Sequence, residues 1–193
     1  MATSLRAALA ISMGILALPS FAAEIAGVKY PDQVQAGASQ LVLNGAGLRR
    51  KLFFKVYAMA LYLPAKAADA AAAIDAPGPK RVEIAMLRDV DAKTFSDALR
   101  EGIEANHSEA EVKAIEPRIE QLEAVMQKVG TAKDGMHVRL DWVPGTGTQV
   151  SIDGAPADAP IQGEDFYRAL LRIWLGPHAV QSDLKRALLG TKD

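Results

Sequence analysis

Residues 45–63, GAGLRRKLFFKVYAMALYL, constrain the fold more than any other stretch of the chain. A glycine-rich segment and two arginines lead into a long hydrophobic run, which reads as a turn at Gly45-Ala46-Gly47 followed by one extended strand. Successive strand side chains point to opposite sides, so Leu52, Phe54, Val56, Ala58, Ala60 and Tyr62 share a nearly all-apolar face. The other face, with Phe53, Lys55, Tyr57, Met59, Leu61 and Leu63, mixes apolar groups with an ammonium and a phenol. Two readings stand. This face lines a crevice for a ligand with an apolar body and a polar head, or it is the solvated side of a sheet.

The 193-residue length suits a single domain that buries a core without covalent staples. The absence of cysteine excludes disulfides, a thiol nucleophile and cysteine-ligated metals. A formal net charge of -1 argues against nucleic acid, whose phosphates call for a basic stripe, and gives no support to a membrane-surface role. Residues 1–23 have the three parts of a secretory signal: Arg6, the apolar run Ala7 to Leu18, and Ser20-Phe21-Ala22 as a small-x-small cleavage site. The competing reading is an uncleaved anchor, but the run is shorter than the ~20 residues that span a bilayer and Pro19 interrupts it. The expectation is cleavage after Ala22 or Ala23. It leaves a domain over 24–193, exported to the periplasm or secreted, with no stable membrane insertion.

Val28 to Gln35 and Ser39 to Leu43 read as short strands about a turn at Gly37, and Pro64 ends the long strand. Ala65 to Ala76 suits a short surface helix, and Pro77-Gly78-Pro79 breaks the chain. In the next strand, Arg81 to Leu87, Val82, Ile84 and Met86 share a face, and Arg88 is next in that parity. If the register holds, its guanidinium points inward and needs an anion, because a buried charge without its partner costs about 3–5 kcal/mol. Alternatively a bulge or helix start at Asp89 swings Arg88 into solvent.

Asp91 can cap a helix carrying Phe95, Ala98, Leu99 and Ile103. Ser108 to Glu111 is a capping box for a second, which Pro117 breaks or restarts before a stripe from Ile119 to Val129 closes at Gly130. Met136 to Val143 and Thr148 to Ile152 form a hairpin turned at Pro144-Gly145-Thr146-Gly147. Phe166, Ala169, Leu170, Ile173 and Trp174 mark another helix, stopped by Gly176-Pro177, and a last one runs from about Ser182 to Leu189. Strands first, helices inserted, then a hairpin and more helices give an α+β chain with a mostly antiparallel sheet.

GAGLR at Gly45 to Arg49, KVYAMALYLP at Lys55 to Pro64, the helix around Lys93 to Ile103, IWLG at Ile173 to Gly176 and LKRALLG at Leu184 to Gly190 together resemble a bacterial chalcone isomerase-like protein. The likeness spans nearly all of the chain beyond the signal. It implies an open-faced sandwich, a mostly antiparallel sheet covered on one side by helices, with a ligand cleft between the layers. In plant members that cyclise chalcones, an arginine after the glycine-rich segment holds the substrate phenolate. That arginine matches Arg49, and the family's threonine on the long strand matches Tyr57. The catalytic tyrosine and asparagine of the plant enzymes fall at Phe95 and Gly102, where no polar group remains. Losing a donor aimed at developing charge costs ~10²–10³ in rate.

Other branches of the fold hold fatty acids without catalysis, gripping the carboxylate with an arginine and a tyrosine. The resemblance therefore implies Arg49, Arg88 and Tyr57 as head-group partners; Lys55 ranks below the arginines as a binding candidate, being either a base in a dry cleft or a lysine that snorkels to water. Phe53, Met59, Met86, Phe95 and Leu99 would form the apolar wall. Arg49 and Arg88 form the expected clamp, since a planar guanidinium matches two carboxylate oxygens.

No residue is assigned a catalytic role from the sequence, and no cofactor is expected. His107, His137 and His178 lie far apart without ligand spacing, so surface or capping roles outweigh a metal site. No G-x-S-x-G elbow frames a nucleophile, and Gly45/Gly47 lack the phosphate-loop Lys-Ser/Thr. Three functions remain: a binder of a small amphipathic carboxylate such as a fatty acid; an isomerase (intramolecular lyase) acting on a phenolic or unsaturated substrate; and a structural partner in a periplasmic assembly. Oligomeric state is left open.

Overall fold

The structure, a computed structural model, describes residues 21–191. The expected signal segment lies outside these residues up to position 20. In chain order the elements are β1 (Phe21–Ile25), β2 (Val28–Pro31), β3 (Gln33–Ala36), β4 (Ser39–Lys51), β5 (Phe54–Leu63), α1 (Ala70–Ile74), β6 (Lys80–Met86), β7 (Val90–Asp91), α2 (Ala92–Glu104), α3 (Glu109–Val129), β8 (Thr131–Ala132), β9 (His137–Val143), β10 (Gly147–Ile152), β11 (Ala155–Pro156), α4 (Glu164–Leu175) and α5 (Ser182–Leu188).

A seven-stranded antiparallel sheet in the order β11-β10-β9-β6-β5-β4-β3 forms one layer. Odd residues of β5 (Met59, Leu61, Leu63) and even residues of β6 (Val82, Ile84, Met86) face the helices. They join Leu99, Ile103, Ile119, Leu122, Phe166 and Leu170 in the main core. Each such side chain contributes about 1.5–3 kcal/mol by leaving water. The opposite parity of β5 (Ala58, Ala60, Tyr62) packs with Tyr30, Leu41 and Leu43 under the β1–β2 hairpin. Both faces of the central strands are therefore covered, and the α+β open-faced sandwich stands with its helices on one side.

The caps sit where their chemistry dictates. Asp91 accepts from Thr94 N at 2.9 Å to start α2, and Ser108 with Glu111 forms the capping box of α3. Pro117 does not break the next helix, which runs unbroken from Glu109 to Val129. Around the proline, Arg118 Nη2 donates to Ala114 O at 3.1 Å. Tertiary ties hold both flanks: Arg100 to Glu116 and Glu123, and Arg118 to Asp165. A stripe of Ile115, Ile119, Leu122 and Val125 on the core outweighs the cost of one proline, about 3 kcal/mol.

The stretch 45–63 is not a turn followed by one strand. Gly45 to Gly47 lie inside β4, and the chain reverses at Leu52-Phe53, with Lys51 paired to Phe54. The glycines serve close approach. A Cβ on Gly45 would sit 2.1 Å from Ala187 O and 2.6 Å from Leu188 O, and one on Gly47 would sit 2.8 Å from Leu184 Cδ1. Only bare backbone lets α5 lie this near the sheet.

Two ion pairs are largely buried, one on each face of the sheet. The Lys80 side chain is fully buried and meets Glu164 at 3.1 Å. On the outer face Arg81 grips Asp141 through two bonds of 2.6 and 2.7 Å, the fork geometry that suits a guanidinium.

Candidate functional site

Arg49 and Tyr57 are cross-strand partners in the β4–β5 ladder, one pair below a bulge at Arg49/Arg50. Tyr57 is also opposite Met86 on β6. Antiparallel pairing places these side chains on the helix-facing side, at the end of the sheet where β6 stops. From α4, Trp174 Nε1 donates to the Tyr57 hydroxyl at 2.8 Å. Before α5, the Gln181 amide oxygen accepts from Arg49 Nη1 at 3.1 Å and from Arg50 N at 2.7 Å, while its nitrogen donates to Leu48 O at 3.0 Å. Arg49 Nη1 also donates to Arg50 O. A half-buried guanidinium is thus tied at the edge of the core, next to a phenol that is itself oriented.

Burial pushes the Tyr57 hydroxyl above its ordinary value of 10.0, with the Trp174 donor and the Arg49 charge opposing the shift. The phenol is therefore neutral and keeps its proton near pH 7. Its oxygen already accepts from Trp174, and among the described residues nothing accepts the phenol's own proton. That O–H and the guanidinium offer donors to an anion at the lip of the sandwich, where charge-assisted bonds are the stronger kind.

Of the residues singled out in the sequence, Met59, Met86 and Leu99 are buried in the main core, and Tyr57 and Phe95 pack against it. Arg49 stands at its edge. Three others go elsewhere. Phe53 is 96 % exposed at the hairpin turn and Lys55 is exposed beside it. Arg88 does not point inward: β6 ends at Met86, the chain bends, and the exposed guanidinium lies 4.7 Å from the centroid of the Phe54 ring. The bend avoids a charge with no buried anion to meet it, so Arg49 and Arg88 do not form a shared clamp.

The expected open cleft between the layers is filled by side chains. Met59 and Met86 are 1 % exposed, and Ile103 and Phe166 are 0 % exposed. Two surface grooves lie outside the layers, one along Glu104 to Glu116 and the other, 780 Å³, at the β3–β4 edge beside α5. Sequence reasoning missed Trp174 and Gln181 as members of the site. Trp174 read only as part of a packing stripe, and Gln181 carried no signal.

Residues 22–190 match the family described as chalcone isomerase-like. Among solved structures, the crystal structure of a fatty-acid binding protein from Arabidopsis thaliana matches with a TM-score of 0.65 at 14 % identity, covering 84 % of this chain and 92 % of that one. At that identity the likeness establishes the fold. No curated protein sequence matches the chain.

Proposed function

The chain belongs to the chalcone isomerase-like family, and from that premise we propose that it binds a small amphipathic carboxylate, such as a fatty acid, without turning it over. One observation carries the reading: a guanidinium and a phenol O–H, oriented by Gln181 and Trp174, converge at the lip of an apolar layer. The carboxylate sits on Arg49 and Tyr57. Its tail enters by parting Met59, Met86 and Phe95, since unbranched methionines repack at low cost. The fatty-acid binding name of the structural neighbour supports the same class of ligand. The proposal includes export: cleavage after Ala22 or Ala23 leaves the β1–β2 pairs from Glu24↔Lys29 onward in place, and the mature domain works in the periplasm or outside the cell.

The test is mass spectrometry of what co-purifies, followed by titration with a fluorescent fatty acid. Arg49→Ala removes a charged hydrogen bond worth about 1.5–3 kcal/mol, so affinity falls roughly 10- to 100-fold. Tyr57→Phe removes a neutral one worth about 1 kcal/mol, roughly a fivefold loss. Unchanged affinity in Arg49→Ala overturns the reading.

The filled layer and the solvent-exposed Arg88 favour a second reading, a structural partner in an assembly. An empty protein that binds no carboxylate at any chain length would select it. The isomerase reading has less support, because Phe95 and Gly102 offer no donor at the positions where the plant enzymes carry tyrosine and asparagine.

A further inference from the structure

We propose that the tip of the β4–β5 hairpin docks the protein onto an anionic lipid surface, inserting Leu52, Phe53 and Phe54 while the surrounding cations meet the head groups. This inference goes beyond the carboxylate site and does not rest on it.

Among the described residues the exposed large hydrophobic side chains are Leu52 (84 %), Phe53 (96 %) and Phe54 (58 %), and they are consecutive. Single exposed apolar residues are ordinary; three in a row at a hairpin turn form a wedge. The register Lys51↔Phe54 leaves only Leu52 and Phe53 in the turn, and Leu52 takes a φ of 56°, a region that glycine occupies freely and leucine does not. A strained turn that presents leucine and phenylalanine to water points to a use for those side chains.

The tip extends beyond the strand pairing on either side, with Arg88 lying over the Phe54 ring. The β5–β6 ladder begins only at Tyr57↔Met86, and β3 covers β4 only along Ser39–Val42. Around it lie Arg50, Lys51, Lys55 and Arg88, all exposed and, among the described residues, without an acidic partner. Between Gln33 and Ala68 the chain contains no Asp or Glu. Asp89, next to Arg88, is already taken by Lys133 and Asp134 N. The chain's net charge near zero thus conceals a one-sign collar around an apolar tip.

Geometry and charge favour a bilayer over a second copy. With strand residues about 3.3 Å apart, Phe53 leads the cations at Arg50 and Lys55 by two or three residues. That spacing matches the ~5–10 Å depth to which interfacial segments bury their apolar groups. Two identical tips would bring like-charged collars together, whereas anionic head groups neutralise them.

Phe53→Trp supplies a reporter at the tip, read against the native Trp142 and Trp174, which are 7 % and 6 % exposed. Phosphatidylcholine vesicles with and without phosphatidylglycerol are the probes. The expected result is a blue shift and quenching by brominated acyl chains on the anionic vesicles, weakening as salt rises. Each cation near the surface is worth about fivefold, so Lys51→Gln with Lys55→Gln lowers partitioning about 25-fold. Phe53→Ser lowers it about tenfold or more at unchanged melting temperature. Comparing variant with parent in the same form of the chain cancels any contribution from residues 1–20. A reporter indole that stays in water on anionic vesicles overturns the proposal. So does a shift that is equal on neutral vesicles, grows with protein concentration in their absence (two copies pairing), or needs an added protein.

Discussion

Gly45→Ala separates a glycine placed for a turn from one placed for close packing, because the two predict opposite signs. Gly45 is not among the positive-φ glycines, so with free space around it an alanine would stabilise the chain by about 0.4–1 kcal/mol through the unfolded state. Here the new Cβ meets Ala187 O at 2.1 Å and Leu188 O at 2.6 Å. Both are backbone atoms of α5 and cannot rotate away. An ordinary carbon–oxygen contact is about 3.3 Å or more, so α5 must retreat by roughly an ångström. That retreat loosens Leu184 and Leu188, now 1 % and 0 % exposed, and strains the Asn44 Nδ2 bond to Leu188 O at 2.7 Å. Overpacking costs about 1–3 kcal/mol and partial loss of two leucine contacts adds to it, so about 3 kcal/mol is expected. For a chain of this size the melting temperature then falls by roughly 6–12 °C. Gly47→Ala meets Ala187 Cβ and Leu184 Cδ1 at 2.8 Å, a milder overlap than 2.1 Å against a carbonyl oxygen and one that the leucine can partly relieve, so its loss is smaller. Urea and thermal denaturation of both variants give the answer. A Gly45→Ala chain as stable as the parent, or more so, refutes the packing argument.

Glu164→Gln leaves the buried Lys80 ammonium without its counter-charge. It should destabilise by about 2–3 kcal/mol, discounted for a glutamate that is 36 % exposed, whereas Lys80→Met should be near neutral; denaturant midpoints check the asymmetry. All four tyrosines, Tyr30, Tyr57, Tyr62 and Tyr167, have hydroxyls raised by burial above the ordinary 10.0. The folded chain therefore holds protons that the unfolded chain releases at about pH 10, so stability is intact below that pH and is lost as pH climbs above it. Phenolate absorbance should stay low until the chain unfolds and then rise in one step; a reversible phenolate near pH 10 in the folded chain would show that a ring is open to water.

Elements with local chemistry were legible in the sequence. Asp91, the Ser108–Glu111 box and the Pro144–Gly147 turn act through neighbours a few residues away, and they fall within a residue or two of their expected places. The β4–β5 reversal was not legible, because Leu52-Phe53 carries none of the glycine, asparagine or proline that marks a two-residue turn. Gly45 and Gly47 misled for the opposite reason: their cause is α5, far along the chain. Pro117 was read from local propensity alone, and tertiary packing overrode it. At the site, alternation put Tyr57 and Met59 on one face of their strand, left open between a crevice and solvent, and Met86 on the inward parity of the next; the structure turns both toward the helices, and the family likeness supplied Arg49. Trp174 and Gln181 reach it from 117 and 132 residues away. Parity failed for Arg88 because the strand ended before its register could carry the residue inward.

Close packing between α2 and α4 supports the proposal of binding over turnover. A Cβ on Gly102 would lie 2.8 Å from Ile173 Cγ2 and 3.2 Å from Ile173 Cγ1, so α2 and α4 approach too closely for a larger polar residue without moving apart. Phe95, about two turns earlier on the same face of that helix, packs against the core. Neither position can donate a hydrogen bond from its side chain to charge developing on a substrate, and each absent donor is worth ~10²–10³ in rate. What remains is Arg49 with the neutral phenol of Tyr57, both fixed before any ligand arrives. Under the proposed function such a pair would hold a carboxylate whose charge does not change, and an interaction equally strong before and during reaction raises affinity without raising kcat.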